Sequence, residues 1–245
     1  MNNNLKITAL LTGRGNNTLR DKNILPVFGK PLLYYPAVAA KQVEIIKNYF
    51  ISSDCIKILS AASALGFENI IRPSELAMPD SLHSDVIDHA LSQMNKIGYY
   101  PDILVVLLAN TVMVKKEWIE DCINEILKDE TLSAVVPVYK EMDHHPFRAK
   151  QLNADGLLVP FFDFSNKNIS SNRNDLPDSF FLCHNFWVLN LKSIDKAKGY
   201  APWKFMGEKV KPYLVEEAFD VHSIDDLKIC ELWLQENGLM PHEMR

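Results

Sequence analysis

Strand-like and helix-like segments alternate through residues 1–140, and this alternation constrains the fold more than any other feature of the sequence. Short apolar runs typical of buried strands are followed by stretches with apolar residues at helical spacing. Because parallel strands are joined by crossover connections, the alternation predicts an α/β domain with a mainly parallel sheet and helices on both faces. With 245 residues and 47% hydrophobic content, the chain could form one large α/β domain, or one domain with a small appendage.

The individual elements follow from the same patterns and from capping signals. Strands are predicted at residues 7–11, 48–52, 69–71, 102–109, 133–139, 180–189 and 213–219. Helices are predicted at residues 31–43, 55–65, about 82–97, 115–128 and 224–237. Asp80-Ser81 is expected to cap the third helix and Ser223 the last, with Asp226 in its first turn.

The alternation stops at residues 142–179, where the sequence becomes irregular and, from residue 165 onward, rich in Ser and Asn. A long irregular stretch inside a compact domain is usually functional. A lid, a substrate loop and a subunit contact are the alternatives.

The loop after the first predicted strand contains features of a phosphate site. Gly13 and Gly15 would let the backbone approach a ligand, and Arg14, Arg20 and Lys22 could meet one polyphosphate. Ligands of α/β proteins bind outside the carboxyl ends of the strands. The loop matches neither the GxGxxG nor the GxxxxGK[ST] spacing, so an ordinary solvated loop is the alternative.

The composition argues against several classes of binding partner and location. The formal net charge of −5 argues against broad nucleic-acid binding. No signal peptide is expected, and the longest apolar run, residues 103–114, is interrupted by Asn110 and Thr111 and is too short to cross a membrane. The four cysteines form no CxxC pair, so neither structural zinc nor a disulfide framework is expected, and the cytoplasm is the expected location.

The N-terminal stretch resembles the motif of the acylneuraminate cytidylyltransferases, the CMP-sialic acid synthetases. Their pattern is an apolar strand, Ala-Arg-Gly-Gly-Ser-Lys, a Lys-Asn pair and Gly-x-Pro-Leu. This chain has Gly13-Arg14-Gly15-Asn16-Asn17, then Lys22-Asn23-Ile24, then Gly29-Lys30-Pro31-Leu32, with a loop one residue shorter.

Later segments are similar to the same family in the same order, so the resemblance covers nearly the whole chain. The matching segments are Ser53-Asp54, Arg72-Pro73-Ser74-Glu75-Leu76-Ala77, Pro146-Phe147-Arg148-Ala149-Lys150, Arg173-x-Asp175-Leu176-Pro177 and Phe219-Asp220-Val221-His222. The resemblance implies a single three-layer, Rossmann-like nucleotidyltransferase domain over residues 1–245. It also implies that the insertion, residues 142–185, makes sugar-side contacts and supports a homodimer.

The implied reaction joins CTP to a sialic-acid-like 2-keto sugar acid, a nonulosonic acid, and releases pyrophosphate. Arg14, Lys22 and Asp220 are the implied catalytic residues. Gly13, Arg14, Gly15, Asn16, Asn17, Lys22, Asn23 and Ser81 are the implied nucleotide-binding residues. Asn110, Arg148, Lys150 and Arg173 are the implied sugar-binding residues. Arg72 is expected to anchor its own loop rather than touch a ligand.

The sequence departs from the family at the implied metal site. Family members present two carboxylates two residues apart and bind Mg²⁺ with them, whereas this chain has Asp220 and then His222. Residues i and i+2 of an extended segment face the same side, so both could reach one ion. Mg²⁺ prefers oxygen ligands, whereas imidazole suits Mn²⁺, Zn²⁺ or a water-mediated contact better. Mg²⁺ is expected, with Mn²⁺ as an alternative. His222 could also be an ordinary polar residue at a helix start.

Two further departures lie after the central strand and before the penultimate strand. Leu108 replaces the family's Gln after the central strand, and Asn110 stands where related keto-sugar cytidylyltransferases have a metal-binding Asp. Cys183-His184 stands where Asn-Gly is expected, and a packed strand is favoured there over a metal pair. These departures leave three alternatives: a nucleotidyltransferase for another base or sugar, a non-catalytic nucleotide-binding homologue, and an unrelated α/β protein.

Overall fold

A computed structural model describes residues 5–164, 168–216 and 218–241. Twelve strands and five α-helices are present in these residues. The strands are β1 (Ile7–Thr12), β2 (Pro26–Val27), β3 (Lys30–Pro31), β4 (Asn48–Ser53), β5 (Glu68–Ile71), β6 (Ile103–Leu108), β7 (Ala134–Lys140), β8 (Lys150–Leu152), β9 (Leu158–Pro160), β10 (Phe180–Leu182), β11 (Phe186–Asn190) and β12 (Val210–Leu214). The helices are α1 (Tyr34–Lys41), α2 (Ile56–Ser63), α3 (His83–Lys96), α4 (Lys116–Lys128) and α5 (Ile224–Glu236).

Eight strands form the central sheet, which is mixed and mainly parallel as predicted. From one edge, β5, β4, β1 and β6 run parallel to one another. The strand β11 pairs antiparallel with both β6 and β7, and β12 closes the other edge parallel to β7. The carboxyl ends of β1, β4, β5 and β6 therefore meet at one edge of the sheet, where α/β proteins bind ligands.

Helices cover both faces of the sheet, which makes three layers. Along β1, Ala9 and Leu11 point toward α1, α2 and α4, while Leu10 points toward α3. This period of two is that of a strand buried on both faces, which is why residues 7–11 read as a continuous apolar run. The helix α5 packs separately over the loop after β6, with Trp233 and Leu234 in contact with its apolar cluster.

Most predicted elements are present, with ends that differ by one to three residues. The cap predicted at Asp80-Ser81 is wrong, because α3 begins at His83 and its N-cap, Leu82, makes no side-chain cap hydrogen bond. The cap at Ser223 is confirmed as a capping box in which Ser223 accepts from the Asp226 N–H.

Two strand predictions need correction. The predicted strand at residues 180–189 is divided into β10 and β11, because β10 pairs with β7 while β11 continues onto β6. The predicted strand at residues 213–219 is instead β12, which begins at Val210 and ends at Leu214. As an edge strand with Pro212 inside it, β12 lacks the apolar run that identifies a central strand.

The insertion carries a small two-stranded sheet of β8 and β9 outside the central sheet. Residues 165–167, within its Ser- and Asn-rich part, lie outside the described residues. Phe147 packs against His145, Phe162 and Phe164 in an aromatic cluster. Apolar side chains remain exposed around this cluster, namely Leu152, Leu157, Leu158, Phe161 and Phe162.

The four cysteines are free thiols, three of them buried. Within the described residues, none of the helices combines the length and the apolar character needed to cross a bilayer.

Candidate active site

A cleft of about 390 Å³ opens at the carboxyl ends of the parallel strands. It is lined by residues from the loops that follow β1, β5 and β6, from the start of α3, and from the segment before α5. These residues are Thr12, Gly13, Arg14, Asn17, Thr18, Leu19, Lys22, Asn23, Arg72, Leu76, Met78, Pro79, Ser81, His83, Val86, Leu108, Asn110, Asp220 and His222.

The loop after β1 is fixed by a short set of polar contacts. The side-chain amides of Asn17 and Asn23 donate to the carbonyl of Arg14 at 2.7 and 3.0 Å. The N–H of Gly15 donates to the Asp54 carboxylate at 2.8 Å. Gly15 also passes so close to Cys55 that a Cβ would lie 2.8 Å from the Cys55 Cβ. Close packing against the chain therefore requires a glycine here, in addition to any approach by a ligand.

Two of the three cations predicted to meet one polyphosphate, Arg14 and Lys22, lie in this cleft, whereas Arg20 is not among its lining residues. Lys22 is buried with its Nζ facing the Asp220 carboxylate, and Arg14 is half-buried at the other side of the loop. Burial lowers the pKa of Lys22, and the nearby Arg14 charge acts in the same direction, whereas the Asp220 charge opposes both. The Arg14 guanidinium donates to the Met78 carbonyl at 2.6 Å, which joins this loop to the one after β5.

Asp220 is the centre of the polar contacts on the facing wall. Its Oδ2 accepts from the Asn110 side-chain amide at 2.8 Å and lies 4.0 Å from Lys22 Nζ. Its Oδ1 lies 3.1 Å from His222 Nε2. Asp220 and His222 therefore do face the same side, as the i, i+2 argument predicts.

Backbone contacts hold Asp220 next to the end of β6. The N–H of Val221 donates to the Asn110 carbonyl at 2.8 Å, and the Thr111 hydroxyl donates to the Phe219 carbonyl at 2.8 Å. On the other side, the Asp226 carboxylate accepts from the N–H of His222 at 2.7 Å, in addition to the N–H of Ser223, whose bond at 2.8 Å belongs to the α5 capping box. The segment thus joins the sheet edge to a helix start.

Arg72 is buried and occupied by its own surroundings, as expected for a loop anchor. Its Nε and NH2 groups donate to the Ser52 hydroxyl at 3.2 Å and the Ser52 carbonyl at 2.7 Å. Burial lowers its pKa to about 10, which leaves the guanidinium charged at neutral pH. It adds positive charge to the cleft, which it also lines.

The predicted site residues separate into two groups. Those that line the cleft together are Gly13, Arg14, Asn17, Lys22, Asn23, Ser81, Asn110, Asp220 and His222. Gly15 and Asn16 belong to the same loop but are not among the lining residues, and Asn16 is exposed. Arg20 is also exposed and pairs with its neighbour Asp21.

Arg148, Lys150 and Arg173 lie on the insertion and are not among the residues that line the cleft. Arg148 donates to the Asp143 carbonyl at 3.0 Å, and Arg173 pairs with the Asp143 carboxylate. All three are exposed, and their sugar-binding role stays a prediction.

The polar groups around Asp220 are a limited donor set for a metal ion. Within the described residues, no three carboxylate, imidazole or thiol groups gather where they could hold one. Asp220 is the carboxylate at this point, and both of its oxygens already contact neighbours. Such a set fits a Mg²⁺ or Mn²⁺ ion that takes most of its ligands from water and phosphate, not a closed protein cage.

Sequence reasoning missed two residues that the structure brings to the site. Asp54 holds the glycine loop through the Gly15 N–H, a contact that its similarity to a family strand end does not reveal. His83 lines the cleft because α3 begins at this residue. A helix capped at Asp80-Ser81, as predicted, would instead place His83 inside the helix. A prediction that began α3 at residue 83 would have brought His83 to the site.

The sequence profile of the family described as "Cytidylyltransferase" matches residues 14–168, which is more than half of the chain. The chain belongs to the cytidylyltransferase family. The cytidylyltransferase family predicted from the glycine loop and the Arg72–Ala77 segment is therefore confirmed.

Two curated relatives support membership of the family, one over a short segment of the chain and the other over nearly all of it. This cytidylyltransferase is 36% identical, over 36% of its length, to an N-acylneuraminate cytidylyltransferase of Escherichia coli, and the match covers 21% of that protein. It is 26% identical, over 95% of its length, to a CMP-N,N'-diacetyllegionaminic acid synthase of Legionella pneumophila, and covers 98% of it. The chain thus spans about a fifth of the first relative and nearly all of the second.

Among solved structures, a CMP:2-keto-3-deoxy-manno-octonic acid synthetase complexed with CTP superimposes with a TM-score of 0.66. The alignment covers 94% of this cytidylyltransferase and 99% of that chain, at 15% identity. At this identity the similarity establishes the α/β nucleotidyltransferase fold alone.

Proposed function

We propose that this cytidylyltransferase transfers CMP from CTP to a sialic-acid-like 2-keto sugar acid and releases pyrophosphate. Family membership supports the cytidylyl transfer. The acceptor class is supported by two relatives whose names specify N-acylneuraminate and N,N'-diacetyllegionaminic acid.

One observation carries the proposal. Arg14 and Lys22, at the end of the first strand, and Asp220, near the end of the chain, line the same cleft, with Lys22 Nζ 4.0 Å from the Asp220 carboxylate. Two cations and a carboxylate in one cleft form a suitable site for a triphosphate. In an unrelated α/β protein, these three residues would not be expected to line one cleft.

The proposed reaction requires few functional groups from the chain. A hydroxyl oxygen of the acceptor attacks the α-phosphorus of CTP and loses its proton to water. The bond from that phosphorus to the bridging oxygen breaks, and pyrophosphate leaves with the electron pair. Negative charge accumulates on the phosphate oxygens, and fixed cations that face it stabilise the transition state. Lys22 and Arg14 provide these cations, and Asn23 holds the loop that carries them. Pyrophosphate leaves from the same positive wall.

A divalent cation is part of the proposal, with Mg²⁺ expected and Mn²⁺ as the alternative. When bound, it would neutralise charge on the triphosphate. Asp220 would hold it, with His222 in direct or water-mediated contact, and the Asn110 side chain keeps the carboxylate oriented.

The insertion is proposed to pair with a second copy of the chain. Its exposed apolar side chains surround an aromatic cluster, and such a patch usually marks an interaction site. In this arrangement the insertion would bring three cations, Arg148, Lys150 and Arg173, toward the acceptor carboxylate. They would come either from the copy that forms the cleft or from the second copy.

A pyrophosphate-release screen tests the function. Four nucleoside triphosphates are combined with a panel of keto sugar acids, with Mg²⁺ and Mn²⁺ compared, and CTP with a nonulosonic acid is expected to release pyrophosphate. Release with another base or another sugar would replace the substrate assignment. Thermal stabilisation by CTP without release from any combination would identify a non-catalytic nucleotide-binding protein. No stabilisation by any nucleoside triphosphate would contradict a nucleotide function.

A further inference from the structure

Thr111 is a buried residue of the loop after β6 to which the proposed chemistry assigns no role. It is fully buried and is not among the residues that line the cleft. Its hydroxyl accepts from the Met113 N–H at 3.1 Å and donates to the Phe219 carbonyl at 2.8 Å. The directions of these bonds are fixed, because an N–H only donates and a carbonyl only accepts. A side chain without a hydroxyl would lose both bonds.

The segment that carries Asp220 has no regular secondary structure to hold it. The strand β12 ends at Leu214 and the helix α5 begins at Ile224. Residues 218–222, between these elements, belong to neither a helix nor a strand. The position of the Asp220 carboxylate therefore depends on the contacts that this segment makes with the rest of the chain.

The loop after β6 bonds both peptide groups that flank Asp220. The Phe219 carbonyl belongs to the peptide group before Asp220 and accepts from the Thr111 hydroxyl. The Val221 N–H belongs to the peptide group after Asp220 and donates to the Asn110 carbonyl. Because each peptide group is planar, the two bonds together restrict both backbone dihedrals of Asp220. The Asn110 side-chain amide, which donates to Oδ2, then orients the carboxylate.

The loop is itself anchored to the central sheet. The fully buried Asn185, next to β11, donates from its side-chain amide to the Met113 carbonyl at 3.0 Å. Its own carbonyl accepts from the Leu108 N–H at 3.0 Å, at the end of β6. Buried hydrogen-bond networks whose members have partners are rigid and favour one arrangement. Thr111 therefore connects a fixed part of the sheet edge to the segment that carries Asp220.

We propose that Thr111 is a positioning residue for the divalent cation that accompanies CTP. It holds the backbone of Asp220 so that the carboxylate is in place for the cation, and it touches neither the cation nor CTP. Removal of outer-shell partners of metal sites typically lowers metal affinity by about 10- to 100-fold. The inference rests on the proposed function, because Asp220 is the residue proposed there to hold the cation.

Isothermal titration calorimetry with CTP, in the absence of any acceptor, tests the inference. The measured quantity is the magnesium effect, defined as the Kd for CTP in EDTA divided by the Kd in Mg²⁺. Thr111→Val removes the hydroxyl at nearly constant volume and is expected to reduce the magnesium effect about tenfold. The Kd in EDTA should stay unchanged, because Arg14 and Lys22 lie on the loop after β1. Thr111→Ser keeps a donor and an acceptor and should retain most of the effect.

A double variant tests whether Thr111 acts through Asp220. Asp220→Ala is expected to reduce the magnesium effect at least as much as Thr111→Val does. When both changes are combined, the loss should equal that of Asp220→Ala alone, because the hydroxyl then has no carboxylate to position. Two residues that act independently would instead give additive losses.

The chain offers a matched control for the loss of a buried hydroxyl. Thr8 on β1 is also fully buried, its hydroxyl is 2.7 Å from the Tyr99 hydroxyl, and it is not among the cleft-lining residues. Thr8→Val should lower the melting temperature, as Thr111→Val does, but leave the magnesium effect unchanged. If Thr111→Val does not fold, Thr111→Ala removes the same hydroxyl with a smaller side chain.

The outcomes separate the inference from the function. An unchanged magnesium effect in Thr111→Val, an additive loss in the double variant or an equal loss in Thr8→Val overturns the positioning role. A weaker Kd for CTP in EDTA also overturns it, because the whole cleft would then be disturbed. The absence of any magnesium effect in the wild type has the same consequence. The proposed function fails separately, if the wild type releases no pyrophosphate with any acceptor.

Discussion

Lys22 and Asp220 face each other across the cleft, with Nζ 4.0 Å from Oδ2, although they stand near opposite ends of the sequence. The parallel sheet explains the proximity, since the loop after β1 and the segment bound to the end of β6 meet at one edge. Because Asp220 balances the Lys22 charge, the lysine can remain buried and still face a phosphate.

Lys22→Ala is expected to lower kcat/KM for CTP by about 100-fold or more, because a fixed cation next to the developing charge is lost. Arg14→Ala should have an effect of the same order. Pyrophosphate release measures both, and the melting temperature should change little. Lys57→Ala is the control, because Lys57 pairs with Asp21 and is not among the cleft-lining residues. Unchanged turnover in both site variants would refute the phosphate assignment.

His222→Asp is expected to lower the Mg²⁺ concentration needed for half-maximal activity, because it adds a second carboxylate facing Asp220. The ratio of Mn²⁺- to Mg²⁺-supported activity should fall in the same variant. A metal titration of pyrophosphate release measures both effects, with His222→Asn as the control that adds no charge. An identical titration for wild type and His222→Asp would show that residue 222 does not contact the ion.

Gly15→Ala is expected to raise the KM for CTP about tenfold, because the new Cβ would lie 2.8 Å from the Cys55 Cβ and displace the loop. The double variant Gly15→Ala with Cys55→Gly removes the opposing atom and should recover part of the affinity. Thermal stabilisation by CTP provides a second measurement. No recovery in the double variant would indicate that the glycine serves ligand approach rather than packing.

Ser223→Ala is expected to destabilise the protein by about 1 kcal/mol, because it removes one half of the α5 capping box. The displaced helix start should also loosen His222, whose N–H donates to Asp226. Urea unfolding measures the stability and a Mg²⁺ titration the functional effect. A loss of stability with an unchanged Mg²⁺ dependence would show that the capping box does not influence the metal site.

Asp226→Asn is expected to show a pH-dependent stability difference from the wild type. The N–H groups of His222 and Ser223 lower the pKa of Asp226 below its usual value of 3.8. A lowered carboxyl pKa stabilises the fold above the unfolded-state pKa, and the contribution is lost as the pH falls through the folded-state pKa. The melting-temperature difference should therefore be full at pH 7 and shrink below about pH 4. A difference that grows at low pH would contradict this sign.

The sequence predicted the parallel sheet and much of the cleft for identifiable reasons. Strands such as β1 and β6 are buried on both faces, so their apolar runs are unmistakable. Gly13, Arg14 and Lys22 can be predicted because they lie close together in one loop, and Asn23 because of the family resemblance.

The remaining features depend on tertiary contacts that residue types do not encode. The division between β10 and β11 depends on a change of strand partner, which no local pattern at residue 183 reveals. The edge strand β12 is half-buried or exposed along its whole length, so it lacks the apolar signal. The role of Asp54 and the position of His83 follow from packing against Gly15 and Trp187, which are distant in sequence.

The attachment of Asp220 to the end of β6, by way of Val221 and Thr111, has a consequence for synthesis of the protein. A nascent chain leaves the ribosome with its glycine loop and parallel strands long before residue 220 is translated. The half-built sheet then carries Lys22 with no opposing carboxylate. The cleft is therefore complete only once that segment has been translated, and a polypeptide terminated before it would keep most of the sheet while its cleft lacked one wall.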